Sequence, residues 1–284
     1  MTSPSARQRR TFCFAALCTL LFSGAVRADD QPFLTLYTTD IATQGEREVE
    51  QWLKWKGGHA DESFNQFQSR SELEYGITDD LQASLYLNYE WERARPHDPF
   101  GPAETADAVG VSGEVIWRVM NVYFDPFGLA FYVEPSISST EREFETKILF
   151  QKNFLNDALR TVVNVNFEDT WEKNPAGGWD KVSALEFDVG IAYSVTPEWS
   201  LGLELDNERG FDGLILGGSA REQSDSVYLG PTVQYVGHPW TVTLGVQAQL
   251  PWAGNPAHLP GNVVDGYTAG DEHVRVAMRL SRDF

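Results

Sequence analysis

Apolar and polar residues alternate at every second position through much of the chain. From Leu81 to Trp91 the odd positions are apolar or aromatic and the even positions are Gln, Ser, Tyr, Asn and Glu. Similar alternation recurs within 109–119, 163–168, 185–193, 201–206 and 274–284. Successive side chains of a β-strand point to opposite faces, so this period predicts strands with one apolar and one polar face. The chain is therefore predicted to be all-β.

The lengths of the strands and connections indicate the kind of β protein, because a soluble sandwich shows the same alternation. Many of the predicted strands have about ten residues or more, as a tilted membrane strand requires. Short connections such as 76–80 and 196–198 alternate with mostly longer ones such as 94–108 and 209–224. Short periplasmic turns and longer outer loops are typical of antiparallel transmembrane β-barrels, and we predict this fold.

Tryptophans on the apolar parity support the same fold. Trp91 and Trp171 close strands that enter longer loops, whereas Trp199 and Trp240 open strands that follow short turns. Aromatic side chains are enriched at both membrane interfaces, where they form two girdles. We expect one girdle at each end of the barrel.

Twelve strands are predicted, an even number as in single-chain bacterial barrels. The pattern also admits ten or fourteen, because Trp52 falls on the polar parity of the first strand and Leu149 interrupts the sixth. Pro135 and Pro231 lie inside strands and predict bulges there. The predicted strands lie near 46–56, 64–76, 81–93, 108–120, 128–138, 142–153, 159–172, 182–195, 199–208, 226–236, 240–250 and 273–284.

The N-terminus has the features of a signal peptide. Arg7, Arg9 and Arg10 precede an apolar run over 12–26 that is shorter than a spanning helix, and Ala28 suits cleavage before Asp29. We predict a signal peptide at 1–28, a lead segment at 29–44 and the barrel at 45–284. The sequence leaves open whether the lead segment lies in the periplasm or in the barrel lumen.

The chain carries a formal net charge of −19, and loss of the basic signal peptide makes the remainder more acidic. This balance repels nucleic acid and is compatible with cations or basic solutes as partners. The two cysteines, Cys13 and Cys18, lie in the predicted signal peptide. We therefore expect no disulfide, no nucleic-acid partner and no cofactor.

The polar faces of the strands carry most of their charged residues. Charged groups at membrane depth require water or one another, so this set either lines a wet channel or forms a packed ion-pair network. A wet lumen would be negative and would prefer cations. The predicted lumen-lining residues are Glu72, Glu74, Glu90, Glu114, Arg118, Glu134, Arg160, Glu186, Asp188, Glu204, Asp206, Arg275 and Arg279.

No catalytic or metal site is predicted. The chain lacks the His-x-Ser-Asn-Gly segment of the outer-membrane phospholipase. The acidic run near Asp206 and Asp212 fits no EF-hand spacing. The histidines lie mostly in predicted loops or turns, as solvated residues do: His59, His97, His238, His258 and His273.

The C-terminal strand ends on Phe284, with apolar residues at alternate positions before it. This resembles the terminal signature of outer-membrane barrels, and the resemblance implies the barrel assembly machinery as a partner and Phe284 as the assembly signal. From Gly45 onward the layout is similar to uncharacterised porin-like barrels, including those grouped with transporters of aromatic-degradation pathways. The resemblance covers the general pattern and carries over no functional residue.

We predict that the protein is embedded in the lipid of a Gram-negative outer membrane. Its predicted function is that of a passive channel or porin-like transporter for small cationic or polar solutes. One alternative is a closed structural or adhesive barrel without transport, since polar lumens occur in both kinds of barrel. An outer-membrane hydrolase is the less favoured alternative, and the chain is not predicted to be an enzyme.

Overall fold

The computed structural model describes residues 31–284 apart from 61, 97–103, 175, 216, 219 and 255–262. The predicted signal peptide at 1–28 lies outside the described residues, as do His97 and His258. No helix in the described part of the chain is long and apolar enough to cross a membrane.

The chain forms a closed antiparallel barrel of twelve strands, which confirms the predicted fold and strand number. Consecutive barrel strands pair, and β14 closes the barrel on β1 in a register that runs from Glu48↔Asp283 to Gly57↔Val274. Two short strands, β12 and β13, form a separate hairpin in the last connection. The strands are β1 Arg47–Gly57, β2 Glu62–Thr78, β3 Leu81–Pro96, β4 Glu104–Met120, β5 Gly128–Ser138, β6 Glu141–Phe154, β7 Leu159–Lys173, β8 Trp179–Ser194, β9 Trp199–Asp212, β10 Arg221–Val236, β11 Trp240–Gln249, β12 Val263–Val264, β13 Tyr267–Thr268 and β14 Val274–Asp283.

The two ends of the barrel differ in their connections. At one end, here called the turn end, lie the connections 79–80, 121–127, 155–158, 195–198 and 237–239, together with both chain ends of the barrel. At the other, the loop end, lie the connection 139–140 and the described residues of the other connections: 58–60, 174, 176–178, 213–215, 217–218, 220, 250–254 and 263–273. The predicted alternation in length holds in part, because the loop-end connection 139–140 has two residues whereas the turn-end connection 121–127 has seven.

The outer face of the barrel is apolar. Leu85 is 67% exposed and Phe187 is 48% exposed, and similar residues surround the wall on every strand. Soluble monomers rarely expose a contiguous apolar surface of this extent, so the belt is suited to lipid. The aromatic girdle at the turn end includes Trp199, whose ring centroid lies 4.8 Å from that of Tyr235, and Trp240. Trp91 and Trp171 lie toward the loop end, as predicted.

The first and sixth predicted strands, in which Trp52 and Leu149 break the alternation, are both present, and these two residues point inward. Trp52 on β1 reaches Glu72 through its indole nitrogen, at 3.3 Å. Leu149 on β6 is fully buried. These residues break the outward alternation because they have partners inside the barrel.

The predicted bulges at Pro135 and Pro231 are wrong. Pro135 stays in register with Phe144 of β6, and Pro231 stays in register with Leu203 of β9. The pairing is interrupted only toward the other neighbour, which is β4 for Pro135 and β11 for Pro231. A proline lacks its backbone N–H, and in a sheet each N–H bonds to only one of the two neighbouring strands. The register shifts lie instead between Gly76 and Thr78, between Arg118 and Met120, and between Glu222 and Ser224.

Several strands extend past their predicted bounds at the loop end. β9 continues to Asp212 and β10 begins at Arg221, where the prediction ended at 208 and began at 226. The added residues of β10 are Arg, Glu, Gln, Ser and Asp. Both faces of the wall are polar here, so no alternation of apolar residues marks the strand.

Candidate functional site in the barrel lumen

The predicted lumen-lining residues all lie on the inner face of the wall. Glu90 and Glu186 are half-buried and the other members are buried, whereas their sequence neighbours on the opposite parity face outward. The burial of these side chains agrees with the inward direction expected from strand parity. Their role in selectivity stays a prediction.

Residues 31–44, here called the inner segment, enter the barrel: residues 31–42 lie inside it, and Thr43 and Gln44 are exposed at the turn end. Phe33 and Thr38 are 0% exposed, and Leu36 is almost as deeply buried. The segment precedes β1 and forms no strand pair with the wall. The sequence left open whether the lead segment lies in the periplasm or in the lumen. The described part of the segment up to residue 42 lies in the lumen.

Side chains of the wall satisfy the backbone of the inner segment. A buried amide without a partner is costly, so these bonds hold the segment in one place. Glu204 accepts a hydrogen bond from the amide of Leu34. Three further amide donors and their acceptors are Tyr37 to Asn164 Oδ1 at 2.7 Å, Thr39 to Gln151 Oε1 at 2.7 Å and Ala42 to Gln82 Oε1 at 2.8 Å.

Apolar side chains of the segment pack against apolar residues on the inner face. One cluster joins Ile41 to Ile116, Ala130, Tyr132 and Leu149. A second cluster joins Phe33 and Leu36 to Val162 and Ala192. Sequence reasoning missed these wall residues, although apolar residues on the polar parity, such as Leu149, are the signal that marks an inner partner.

Glycines of the wall make room for the segment. A Cβ atom at Gly190 would lie 2.6 Å from the ring of Phe33. A Cβ atom at Gly245 would overlap Leu34, and one at Gly128 would overlap Thr39. A packed interior tolerates little overlap of atoms, so a larger residue at any of these three positions would clash with the inner segment.

The inner segment occupies the turn-end half of the lumen. Ala42 contacts Gln82, the second residue of β3, and Thr39 contacts Gln151, which is near the end of β6. Thr243, near the start of β11, donates to the carbonyl of Gln31. The segment therefore fills the lumen beside the short turns.

A cavity of about 370 Å³ lies above the segment and extends toward the loop end. Leu34, Thr35 and Tyr37 form its floor, and Ser138 and Thr140 lie at its rim. Its acidic lining residues are Glu90, Glu134, Glu141, Glu143, Glu145, Glu168, Glu186, Asp188, Asp206 and Glu208. Its basic lining residues are Lys54, Lys56, Arg70, Lys147 and Arg275, so acids outnumber bases.

The acids are concentrated on one side of the cavity. Most lie on β5 to β9, and several face one another across neighbouring strands, where like charges repel. The bases other than Lys147 lie on β14, β1 and β2. The cross-strand acidic pairs are Glu134↔Glu145, Glu145↔Glu168, Glu186↔Glu208 and Asp188↔Asp206.

Ion pairs neutralise part of this charge. Arg70 lies 2.7 Å from Glu134, and Lys147 lies 2.8 Å from Glu145. Arg275 on β14 binds Glu208 on β9 with both terminal nitrogens. The acids Glu186 and Asp188 on β8 and Asp206 on β9 form no ion pair in the described part of the chain.

The loop end carries a further charged cluster beside the cavity. Glu272 lies 3.3 Å from Lys56 and also binds Arg275. Burial alone raises the pKa of Glu272, but the charges of Lys56 and Arg275 outweigh it and hold this pKa below its ordinary value. At the adjacent Asp271, which accepts a hydrogen bond from Ser226, burial raises the pKa to about 6.

The structure divides the predicted lumen-lining set into two groups. Glu90, Glu134, Glu186, Asp188, Asp206 and Arg275 line the cavity. The remaining members, Glu72, Glu74, Glu114, Arg118, Arg160, Glu204 and Arg279, lie outside its lining. Glu204 and Arg279 bind the inner segment instead, at the amide of Leu34 and the carbonyl of Gln31.

Within the described residues, no group of three or more His, Cys, Asp or Glu side chains is arranged to hold a metal ion. Phe284, the predicted assembly signal, is exposed at the turn end, and its amide donates to the carbonyl of Arg47 at 3.1 Å.

A family model described as a family of unknown function, DUF6662, matches residues 25–281. No curated protein matches the chain.

Several solved structures have a similar fold. The COG4313 outer membrane channel from Pseudomonas putida F1 has a TM-score of 0.60 and 11% identity, over 86% of this chain and 97% of that one. The NanC porin has a TM-score of 0.51 and 12% identity, over 84% and 100%. The translocator domain of autotransporter NalP from Neisseria meningitidis has a TM-score of 0.53 and 10% identity, over 87% and 91%. These likenesses confirm the resemblance to outer-membrane, porin-like barrels at the level of the fold.

Proposed function

The chain belongs to the family of unknown function DUF6662, and we propose that it is a passive channel of the Gram-negative outer membrane for small polar or cationic solutes. The observation that carries the proposal is the acidic cavity, which extends from the inner segment to the rim at the loop end. A closed barrel without transport needs no such space. The proposal gives the chain no catalytic role.

The orientation follows from the connections. Short turns face the periplasm in barrels of this kind, so the turn end is the periplasmic end and the cavity opens toward the exterior. The apolar belt contacts outer-membrane lipid. The exposed C-terminal Phe284 is the residue that the barrel assembly machinery would read.

The inner segment controls how far a solute can pass. It fills the periplasmic half of the lumen, but it is held by hydrogen bonds and apolar contacts rather than by strand pairing. We propose that conductance is low while the segment is in place and rises when it is removed.

The charge of the cavity favours cations. Fixed carboxylates concentrate cations within a Debye length of about 8 Å at physiological ionic strength, a distance comparable to the radius of a narrow pore. Glu143, Glu168 and Glu186 line the cavity and form no ion pair with a basic side chain in the described part of the chain. They are the residues expected to contribute most to this preference.

Single-channel conductance in a planar bilayer tests the proposal, with the reversal potential measured under a KCl gradient. We expect cation preference, and we expect the triple replacement Glu143→Gln, Glu168→Gln and Glu186→Gln to reduce it. The matched control replaces three exposed acids at the turn end, Asp125→Asn, Asp157→Asn and Glu198→Gln, and should leave the reversal potential unchanged.

A closed structural or adhesive barrel is the second candidate, and the inner segment filling the periplasmic half is the observation that favours it. A variant that lacks residues 31–44 separates the two functions. A barrel that inserts into the bilayer but conducts neither with nor without the segment would establish the closed barrel and refute the channel.

A further inference from the structure

Two carboxylates face each other near the floor of the cavity. Asp188 on β8 and Asp206 on β9 are directly opposed in the strand register. Both line the cavity, although Asp188 is only 2% exposed and Asp206 only 1% exposed. Directly opposed residues of antiparallel strands have Cβ atoms about 5 Å apart, so a single ligand atom can contact both side chains.

Each carboxylate is oriented through one oxygen. Oδ2 of Asp188 accepts a hydrogen bond from Asn166 Nδ2 at 2.7 Å. Oδ2 of Asp206 accepts from Gln247 Nε2 at 2.5 Å and from Thr35 Oγ1 at 3.1 Å. These donors come from β7, from β11 and from the inner segment, so the two carboxylates are held from three directions.

The second oxygen of each carboxylate has no partner. Oδ1 of Asp188 and Oδ1 of Asp206 are buried and accept no hydrogen bond within the described chain. Neither residue is ion-paired there, because the nearby bases bind other acids: Arg275 binds Glu208, and Lys147 binds Glu145. A pair of buried acceptors of like charge is unfavourable unless a donor bridges them.

We propose that Asp188 and Asp206 bind the ammonium group of a small linear organic amine, whose chain extends toward the loop-end rim. An ammonium group has three donors and no acceptor, which matches two unpartnered carboxylate oxygens. Glu141 and Glu143 at the rim can take a second ammonium group, so a diamine suits the cavity best. The proposal names the solute class of the channel and in that respect rests on the function proposed above.

The lumen already holds one ammonium group, through one carboxylate and two aromatic rings. Lys147 Nζ lies 2.8 Å from Glu145 and 4.8 Å from the ring centroids of both Tyr37 and Tyr132. A cavity of about 370 Å³ is also far larger than a metal ion. The described residues around it provide no cluster with the geometry of a metal site. These observations favour an organic cation over an inorganic one.

Isothermal titration calorimetry on the full-length mature protein, refolded in detergent, tests the site. The probe is 1,4-diaminobutane, with 1,4-butanediol as its neutral counterpart and MgCl₂ as the inorganic cation. We expect the diamine to bind and the diol not to bind. The double variant Asp188→Asn/Asp206→Asn should lose affinity by about tenfold or more, because two charge-assisted hydrogen bonds are removed. The matched control, Asp180→Asn/Asp212→Asn, changes exposed acids at the loop ends of the same two strands and should bind as the wild type does.

Three results would overturn the proposal: no binding of the diamine, equal binding by the double variant, or Mg²⁺ binding that depends on the two carboxylates while the diamine does not bind. If the double variant fails to refold, the single variant Asp188→Asn provides the same comparison. Binding in detergent needs no conduction. Diamine binding without conductance would therefore refute the channel and keep the site, whereas conductance without binding would do the reverse.

Discussion

At the scale of the residue, adjacent positions of a strand have opposite environments. Phe187 is exposed on the outer face, whereas its neighbours Glu186 and Asp188 line the cavity. A slip of the register by one residue would place both carboxylates against lipid and the ring in the lumen. The free-energy cost of that exchange favours a single register. The cost of placing a charge against lipid can be measured by introducing one charged residue on the outer face.

We predict that Phe187→Arg lowers the free energy of unfolding by about 2 to 4 kcal/mol, because Phe187 lies at the middle of β8 and so near the bilayer midplane. Guanidinium unfolding of the protein in lipid vesicles measures the change. Val195→Arg is the control, since Val195 is equally outward but lies at the turn end, where the cost is about 0 to 1 kcal/mol. Equal stability of wild type and Phe187→Arg would mean that the outer face is not in lipid.

At the scale of the element, the inner segment differs from every barrel strand. The strands are joined by continuous backbone ladders, whereas the segment depends on side chains of the wall and on the space that glycines leave. Such an element can be displaced without opening the barrel. Gly190 and Gly245 are the positions where an added side chain acts on the segment directly, through Phe33 and Leu34.

We predict that Gly190→Val and Gly245→Val each displace the segment and raise single-channel conductance toward that of the variant that lacks residues 31–44. The matched control is Gly113→Val, because a Cβ atom at Gly113 would meet Leu85 only at an ordinary distance of 3.8 Å, on the outer face. Unchanged conductance in both lumen variants, with the barrel intact, would show that the segment is not the constriction.

At the scale of the whole molecule, closure is the dominant feature. The pairing of β1 with β14 satisfies the last free edges, so every barrel strand has two neighbours. In lipid, where unpaired backbone groups are costly, a closed barrel is one of the two structures that can span. The same closure makes unfolding highly cooperative, because no strand can leave without breaking two ladders.

We predict that the refolded protein migrates differently on a denaturing gel before and after boiling, because the closed sheet resists detergent at room temperature. The boiled sample of the same preparation serves as the unfolded reference. Identical migration of the two samples, together with high solubility in the absence of detergent, would contradict a membrane barrel.

The local pattern was sufficient for the wall of the barrel. Period-two alternation placed Glu186, Phe187 and Asp188 on the correct faces, and the alternating connections and aromatic residues distinguished the two ends. These features are local, because the polarity of each residue depends on whether its own side chain faces lipid or the lumen. For the same reason the pattern did not mark the loop-end parts of β9 and β10, where both faces are polar.

By itself, then, the sequence determined an all-β barrel with inward and outward faces and an acidic interior, and it favoured twelve strands while leaving ten or fourteen open. Only the tertiary structure decided that residues 31–44 enter the lumen and that Asp188 lies opposite Asp206. It also decided that Glu204 and Asp206 both bind this segment, whereas only Asp206 lines the cavity. These contacts join residues far apart in the chain, such as Leu34 and Glu204 with a separation of 170. Alternation shows that a side chain points inward, but the partner it meets depends on closure of the barrel, which brings distant strands and the N-terminal segment into one lumen.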